Sequence, residues 1–150
     1  MTDPMTSAPN DRFELDVRQS FERQSVMTLL GARLARVAPG AVDVTLAFRE
    51  DLTQQGGALH AGVVTSIADS ACGYAAMTLM PAGSEVLSVE FKVNLLRPAR
   101  GERFVAEGRV IKPGRTLTVT RADVYALAGE SRILVATMLG TMIRRPPANG

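Results

Sequence analysis

HAGVVTSIADSACGYAAMTLM, residues 60–80, holds a single charged side chain, Asp69, and no other follows until Glu85. Apolar or small residues recur as adjacent pairs four apart: Val63/Val64, Ile67/Ala68, Ala71/Cys72, Ala75/Ala76 and Leu79/Met80. That spacing lays a broad apolar stripe along one side of an α-helix. The opposite side carries Thr65, Ser66, Asp69, Ser70, Gly73 and Tyr74, with no lysine or arginine to hold it in water. The pattern predicts a long helix wrapped by the rest of the chain. A carboxylate in such a wrapping must be satisfied or shifted in its proton affinity, because unpaired buried charge is costly. Asp69 therefore reads either as a group on an exposed strip or loop cap, or as a working acid or base.

On both sides of this helix the period changes. Downstream, Leu87, Val89, Phe91, Val93 and Leu95 alternate with Ser88, Glu90, Lys92 and Asn94, which is the signature of a strand. Further strands are expected over Glu102–Lys112, Thr116–Leu127 and Ile133–Ile143, with turns at Pro113-Gly114 and around Gly129. The short connections imply an antiparallel meander. Upstream, Pro39-Gly40 separates two strand-like segments, the second placing Val42, Val44, Leu46 and Phe48 on one face. Earlier still, Phe13, Val17 and Phe21 mark a short amphipathic helix, and Ser25 is placed to cap a second across Met27–Leu30. Such helices cover a sheet edge or the mouth of a pocket. Residues 1–11 and 146–150 read as tails, leaving one domain over 12–145.

Composition narrows the classes of function. At 150 residues the chain is one domain with room for a core, and 46% hydrophobic with 21% charged residues describes an ordinary globule. A net charge of +2, no Trp, two Tyr and five Phe argue against a nucleic-acid partner. One cysteine, Cys72, excludes an internal disulfide, and one histidine excludes a multi-histidine metal site within one chain. No metal or cofactor is expected. The 61–84 stretch is long enough for a membrane span, but Asp69 and its Ser, Thr and Gly content favour a buried helix. With no signal-peptide pattern, the expectation is a cytoplasmic protein without a membrane partner.

The order of short helices, hairpin, long helix and four strands resembles the hotdog fold. That implies an α+β chain whose central helix is wrapped by a five- or six-stranded antiparallel sheet. Residues 54–69, QQGGALHAGVVTSIAD, are similar to the PaaI-like acyl-CoA thioesterases. Their pattern is Asn or Gln, then His-Gly-Gly six residues later, then Asp or Glu nine residues after the His. Gln54, His60 and Asp69 stand at those spacings; Ser88-Val89-Glu90 and Gly114-Arg115-Thr116 match two later features. The departure is Ala61, where a glycine is usual. The family needs only the backbone N–H of that residue, so the change adds a methyl group beside the reacting carbonyl.

The resemblance implies hydrolysis of an acyl-CoA to a free acid and coenzyme A. Asp69 would act as general base or as nucleophile, Ser88 would orient water, and Gln54 would hold water or carbonyl. Ala61 N–H, with Gly62 beside it at the helix start, would meet the developing oxyanion. His60 has either a catalytic role or a purely structural one. Tyr74 would line the acyl pocket, and Arg97, Arg100 and the Gly114-Arg115-Thr116 turn are candidates for the nucleotide phosphates. A serine hydrolase is disfavoured because no G-x-S-x-G elbow is present. The motifs of a hotdog dehydratase are also missing. A hotdog that binds acyl-CoA without cleaving it stands as the alternative.

Spacing adds one constraint. Asp69 lies eight residues beyond Ala61, which is roughly 12 Å along a helix at ~1.5 Å per residue. Both cannot touch one carbonyl carbon. Either one of them works alone, or two chains related by a two-fold axis share each site, in a homodimer that can pair further into a tetramer.

Overall fold

A computed structural model describes residues 7–147. The outer parts of both expected tails, 1–6 and 148–150, lie outside the described residues. Asn10 already belongs to the fold: its side-chain amide donates to Asp16 and its Oδ1 accepts from Arg12 N–H.

Two short helices come first, α1 (Phe13–Glu22) and α2 (Ser25–Leu30). Val17 and Phe21 of α1 and Met27 and Leu30 of α2 are buried, as their spacing requires. Ser25 does not cap α2. It is the first helical residue, Gln24 stands at the cap, and no side chain makes a capping bond there. The hairpin follows as β1 (Arg33–Ala38) and β2 (Ala41–Ala47). Val42, Val44 and Leu46 point into the core, whereas Phe48 lies beyond the strand and is exposed, because the chain there turns into a single 3-10 turn, Glu50–Leu52.

The long helix, α3, spans Ala61–Met77. From Ser70 to Ala76 every residue is buried, polar and small ones included. Four strands complete the chain: β3 (Glu85–Leu95), β4 (Arg103–Lys112), β5 (Leu117–Ala128) and β6 (Ser131–Arg145). All six strands form one antiparallel sheet in the order β1-β2-β4-β5-β6-β3, curled around α3. This is the hotdog architecture. Ile67, Phe104, Leu46, Met138 and Met142 fill the space between helix and sheet. Burial of each such side chain contributes ~1.5–3 kcal/mol relative to exposure.

Two expectations about the strands are corrected. First, β3 pairs with β6 and not with β4, so the last four strands are not a simple meander. Residues 96–102 carry the chain from the sheet edge to β4, past the start of α3, where Leu59 N–H donates to Ala99 O. Crossing three inter-strand gaps needs about 14 Å, and seven extended residues reach up to ~23 Å. A short connection therefore does not force adjacency. Second, β3 does not alternate cleanly. A bulge between Ser88 and Glu90 makes Val89 an extra residue opposite β6. Ser88 pairs with buried Met142 and faces the helix, while Leu87 pairs with Ile143 on the outer face. Past the bulge the phase flips, so Phe91, Val93 and Leu95 follow the helix-facing side.

Candidate active site

Asp69 and Ser88 meet because the bulge turns Ser88 inward opposite the middle of α3. Ser88 Oγ donates to Asp69 Oδ1 at 2.6 Å and lies 3.5 Å from Met142 Sδ. One carboxylate oxygen is thus held by the hydroxyl, and Oδ2 has no protein donor among the described residues. Burial pushes the Asp69 carboxyl above its ordinary proton affinity, and the Ser88 hydrogen bond only partly opposes this. A half-buried, fixed carboxylate with raised proton affinity is suited to taking a proton from water. It opens onto a cavity of about 340 Å³ between α1, α3 and the start of β3.

The start of α3 presents a different set of groups. His60 is the cap residue: its Nδ1 accepts from Gly62 N–H at 2.8 Å, and its carbonyl accepts from Val63 and Val64 N–H. An Nδ1 that accepts places the neutral imidazole's proton on Nε2. Of the amides in this first turn, Ala61 N–H alone has no acceptor among the described residues, and it stands at the positive end of the helix. Gly62, whose amide is taken by His60, fits because a Cβ there would lie 3.0 Å from the imidazole.

Gln54 sits in the turn just before α3, secured by backbone bonds to Ala58 and Gly57. Its Oε1 accepts from Gly56 N–H, so the free end of the amide is the Nε2 donor. Gln54, Ala61, Leu95 and Arg97 line one cleft of about 180 Å³. In one chain, then, the carboxylate and the N–H donors of Gln54 and Ala61 open into separate spaces. Asp69 and Ser88 share one, and Gln54 and Ala61 share the other.

The basic candidates are divided in the same way. Arg97 lines the Gln54–Ala61 cleft and donates to Leu134 O at 3.0 Å, while Arg100 braces the Gln54 turn by donating to Gly56 O at 2.7 Å. Gly114, Arg115 and Thr116 form the turn between β4 and β5, at the opposite end of the sheet from Leu95. Glycine is required in that turn, since a Cβ on Gly114 would lie 2.0 Å from Leu117 O. Cys72 is buried and its thiol is pushed up to about 12 by burial, which removes it as a nucleophile at neutral pH.

Sequence reading did not find Ser20, Arg23, Gln24 and Ser70, which line the Asp69 cavity together with Tyr74. Ser20 and Gln24 stand on the polar side of a short amphipathic segment, where the pattern reads as solvated. Only the packing of α1 across α3 turns them inward.

Comparison with known proteins supports the fold and shows the family. Residues 56–132 match the family described as the thioesterase superfamily. Human acyl-coenzyme A thioesterase 13 is 30% identical over 121 residues, covering 80% of this chain and 86% of that protein. A crystal structure of a thioesterase family protein from Silicibacter pomeroyi superposes with a TM-score of 0.86 at 50% identity, covering 88% and 97% of the two chains. The E. coli PaaI protein from the phenylacetic acid degradation operon shares the fold, with a TM-score of 0.82 at 19% identity over 91% and 95% of the chains. With this fold, and with a family match that takes in the start of α3, Asp69 and Ser88, the chain belongs to the thioesterase superfamily.

Proposed function

We propose that this protein hydrolyses an acyl-CoA thioester to a free acid and coenzyme A, in a two-fold homodimer whose two sites each draw on both chains. The observation that carries this is the division of the chemistry. A carboxylate of raised proton affinity bonded to a hydroxyl opens into one cavity, and a free helix N-terminal amide beside a free amide NH2 opens into another. The match to acyl-coenzyme A thioesterase 13 supports the choice of thioester.

In this reading Asp69 Oδ2 takes a proton from water as the water oxygen attacks the thioester carbonyl carbon. Ser88 holds the other carboxylate oxygen in place. The carbonyl oxygen becomes an oxyanion that accepts from Ala61 N–H and Gln54 Nε2–H of the opposite chain. As the C–S bond breaks, Asp69 returns the proton to the departing sulfur. His60 acts by holding the first turn of α3 and not by touching substrate.

Pairing rests on β3, an eleven-residue edge strand whose Leu87, Val89, Phe91 and Leu95 are 42–54% exposed. An open apolar edge of that length is unusual unless another strand covers it. An antiparallel second copy on this edge sets the Asp69 cavity of one chain against the α3 start of the other. It also brings the Arg115 turn of one chain toward Arg97 and Arg100 of its neighbour, where the coenzyme A phosphates would lie.

The test is release of free thiol from a panel of acyl-CoAs. Asp69→Asn is expected to lower kcat by at least about a hundredfold, the loss typical of a general base. Saturable binding of acyl-CoA by the parent with no thiol release would favour a binding protein over an enzyme.

A further inference from the structure

The Asp69 cavity does not end in hydrocarbon. At its far side Tyr74 OH and Ser20 Oγ lie 3.2 Å apart, and Ser70 Oγ donates to Gln24 Oε1 at 3.0 Å. Tyr74 and Ser70 are each only 5% exposed, so these polar groups were buried against α1 at a real desolvation cost. Their bonding capacity is not used up. Among the described residues, the Tyr74–Ser20 pair spends one hydroxyl proton between its two oxygens, leaving a second donor and spare lone pairs, and the bond to Ser70 leaves the Gln24 NH2 without an acceptor. The remaining charged groups of the cavity are Arg23 and Glu85, of opposite sign.

Taking the proposed thioesterase reading as its basis, we infer that this enzyme selects acyl groups that carry a neutral hydroxyl at the far end, recognised by Tyr74, Ser20 and Gln24. A hydroxyl both donates and accepts, which is what this wall offers. A carboxylate would gain from Arg23 but meet Glu85, and a methyl end would leave the wall's donors unpaired in a space that water has to leave. The acyl group takes this direction because the other way out of the reaction centre, along the Gln54–Ala61 cleft, is where Arg97 stands and suits the coenzyme. Asp69 and Tyr74 are five residues apart on α3, ~7.5 Å of backbone rise, and hexanoyl-length chains are probes on that scale.

These pairs also tie α1 to α3, and a merely structural role must be told apart from recognition. The experiment compares hexanoyl-CoA, ω-hydroxyhexanoyl-CoA and adipyl-CoA with the parent protein and with Tyr74→Phe/Gln24→Leu. In the parent, kcat/KM for the hydroxy substrate should exceed that for hexanoyl-CoA by about tenfold, the discrimination worth roughly one well-placed hydrogen bond. In the variant that ratio should fall to near one. A structural role would lower Tm and shift all three substrates together, leaving the ratio in place. Should the variant fail to fold, Ser20→Ala/Gln24→Leu removes donors from the α1 side alone and is read by the same ratio. Good turnover with hexanoyl-CoA or adipyl-CoA equal to or ahead of the hydroxy substrate overturns the selectivity and leaves the thioesterase reading standing. Absence of thiol release from every arm and from the wider acyl-CoA panel overturns both.

Discussion

At the scale of single residues, Asp69 sits where its ionised form is penalised. The folded chain holds that proton more tightly than the unfolded chain, whose carboxyl titrates near 3.8. Between 3.8 and the raised folded value the native state binds more protons than the unfolded one, so stability falls as pH rises through that window. Above it the penalty stays constant. Asp69→Asn removes the penalty while Ser88 can still donate to the remaining oxygen. At neutral pH the variant should therefore unfold at the same or a higher temperature than the parent, although its turnover is lost. In the parent, the acid limb of kcat/KM should lie above the ordinary carboxylate range, because activity needs the ionised base. A Tm several degrees below the parent's, with turnover within a few-fold of the parent's, would mean that Asp69 serves the fold and not the reaction.

At the scale of elements, the crossing of α3 over β4 is set by Gly108. A Cβ there would lie 2.2 Å from Ala71 O and 2.9 Å from Cys72 N, and backbone cannot step aside as a side chain can. Gly108→Ala is expected to cost at least the upper end of the ~1–3 kcal/mol of ordinary overpacking. Gly73→Ala on the facing helix is the contrast. Its Cβ would meet Val86 Cγ1 at 3.8 Å, an ordinary contact, and should return up to ~1 kcal/mol of helix propensity. Denaturant unfolding of the two variants checks both signs. Neither effect could be read beforehand, because a glycine in a strand and one in a helix look alike until the backbones that approach them are known.

The same distinction runs through the rest of the chain. The adjacent pairs from Val63 to Met80 specify α3 through local periodicity, and Pro39-Gly40 specifies the hairpin through turn chemistry. The place of β3 depended on which strand it would join after 96–102, and nothing local decides that. The bulge at Val89 was hidden for a related reason, since a perfect alternation gives no sign that one residue will be passed over by the partner strand. In the candidate site, Asp69 stood out as the lone charge of a helical stretch, whereas Gln54, His60, Ala61 and Ser88 were named through the resemblance to the PaaI-like pattern. The Tyr74–Ser20 and Ser70–Gln24 pairs join residues 54 and 46 positions apart and could not be.

On the scale of the whole molecule, division of the chemistry between two cavities makes a direct prediction about mixed dimers. One chain would carry Asp69→Asn and the other Gln54→Ala/His60→Ala, each nearly inactive by itself. Where sites are shared, one site of the mixed dimer holds both lesions and the other holds neither. Mixing, with exchange verified by differently tagged chains, should then restore up to about half of the activity that the same amount of parent dimer shows. Verified exchange with no recovery would rule out shared sites.

β1 also carries a bulge, between Leu34 and Arg36, and the proposed assembly gives it a meaning. If two sheets join through β3, the strand left at each outer end is β1, six residues long and interrupted between Leu34 and Arg36, with Arg33 and Arg36 at its surface. A short, kinked, arginine-bearing edge is a poor template for a further strand. The open edge that invites a partner would then be consumed in the first pairing, and what remains exposed would repel a third chain. Edge-to-edge growth would stop at two, a built-in terminator against fibrils.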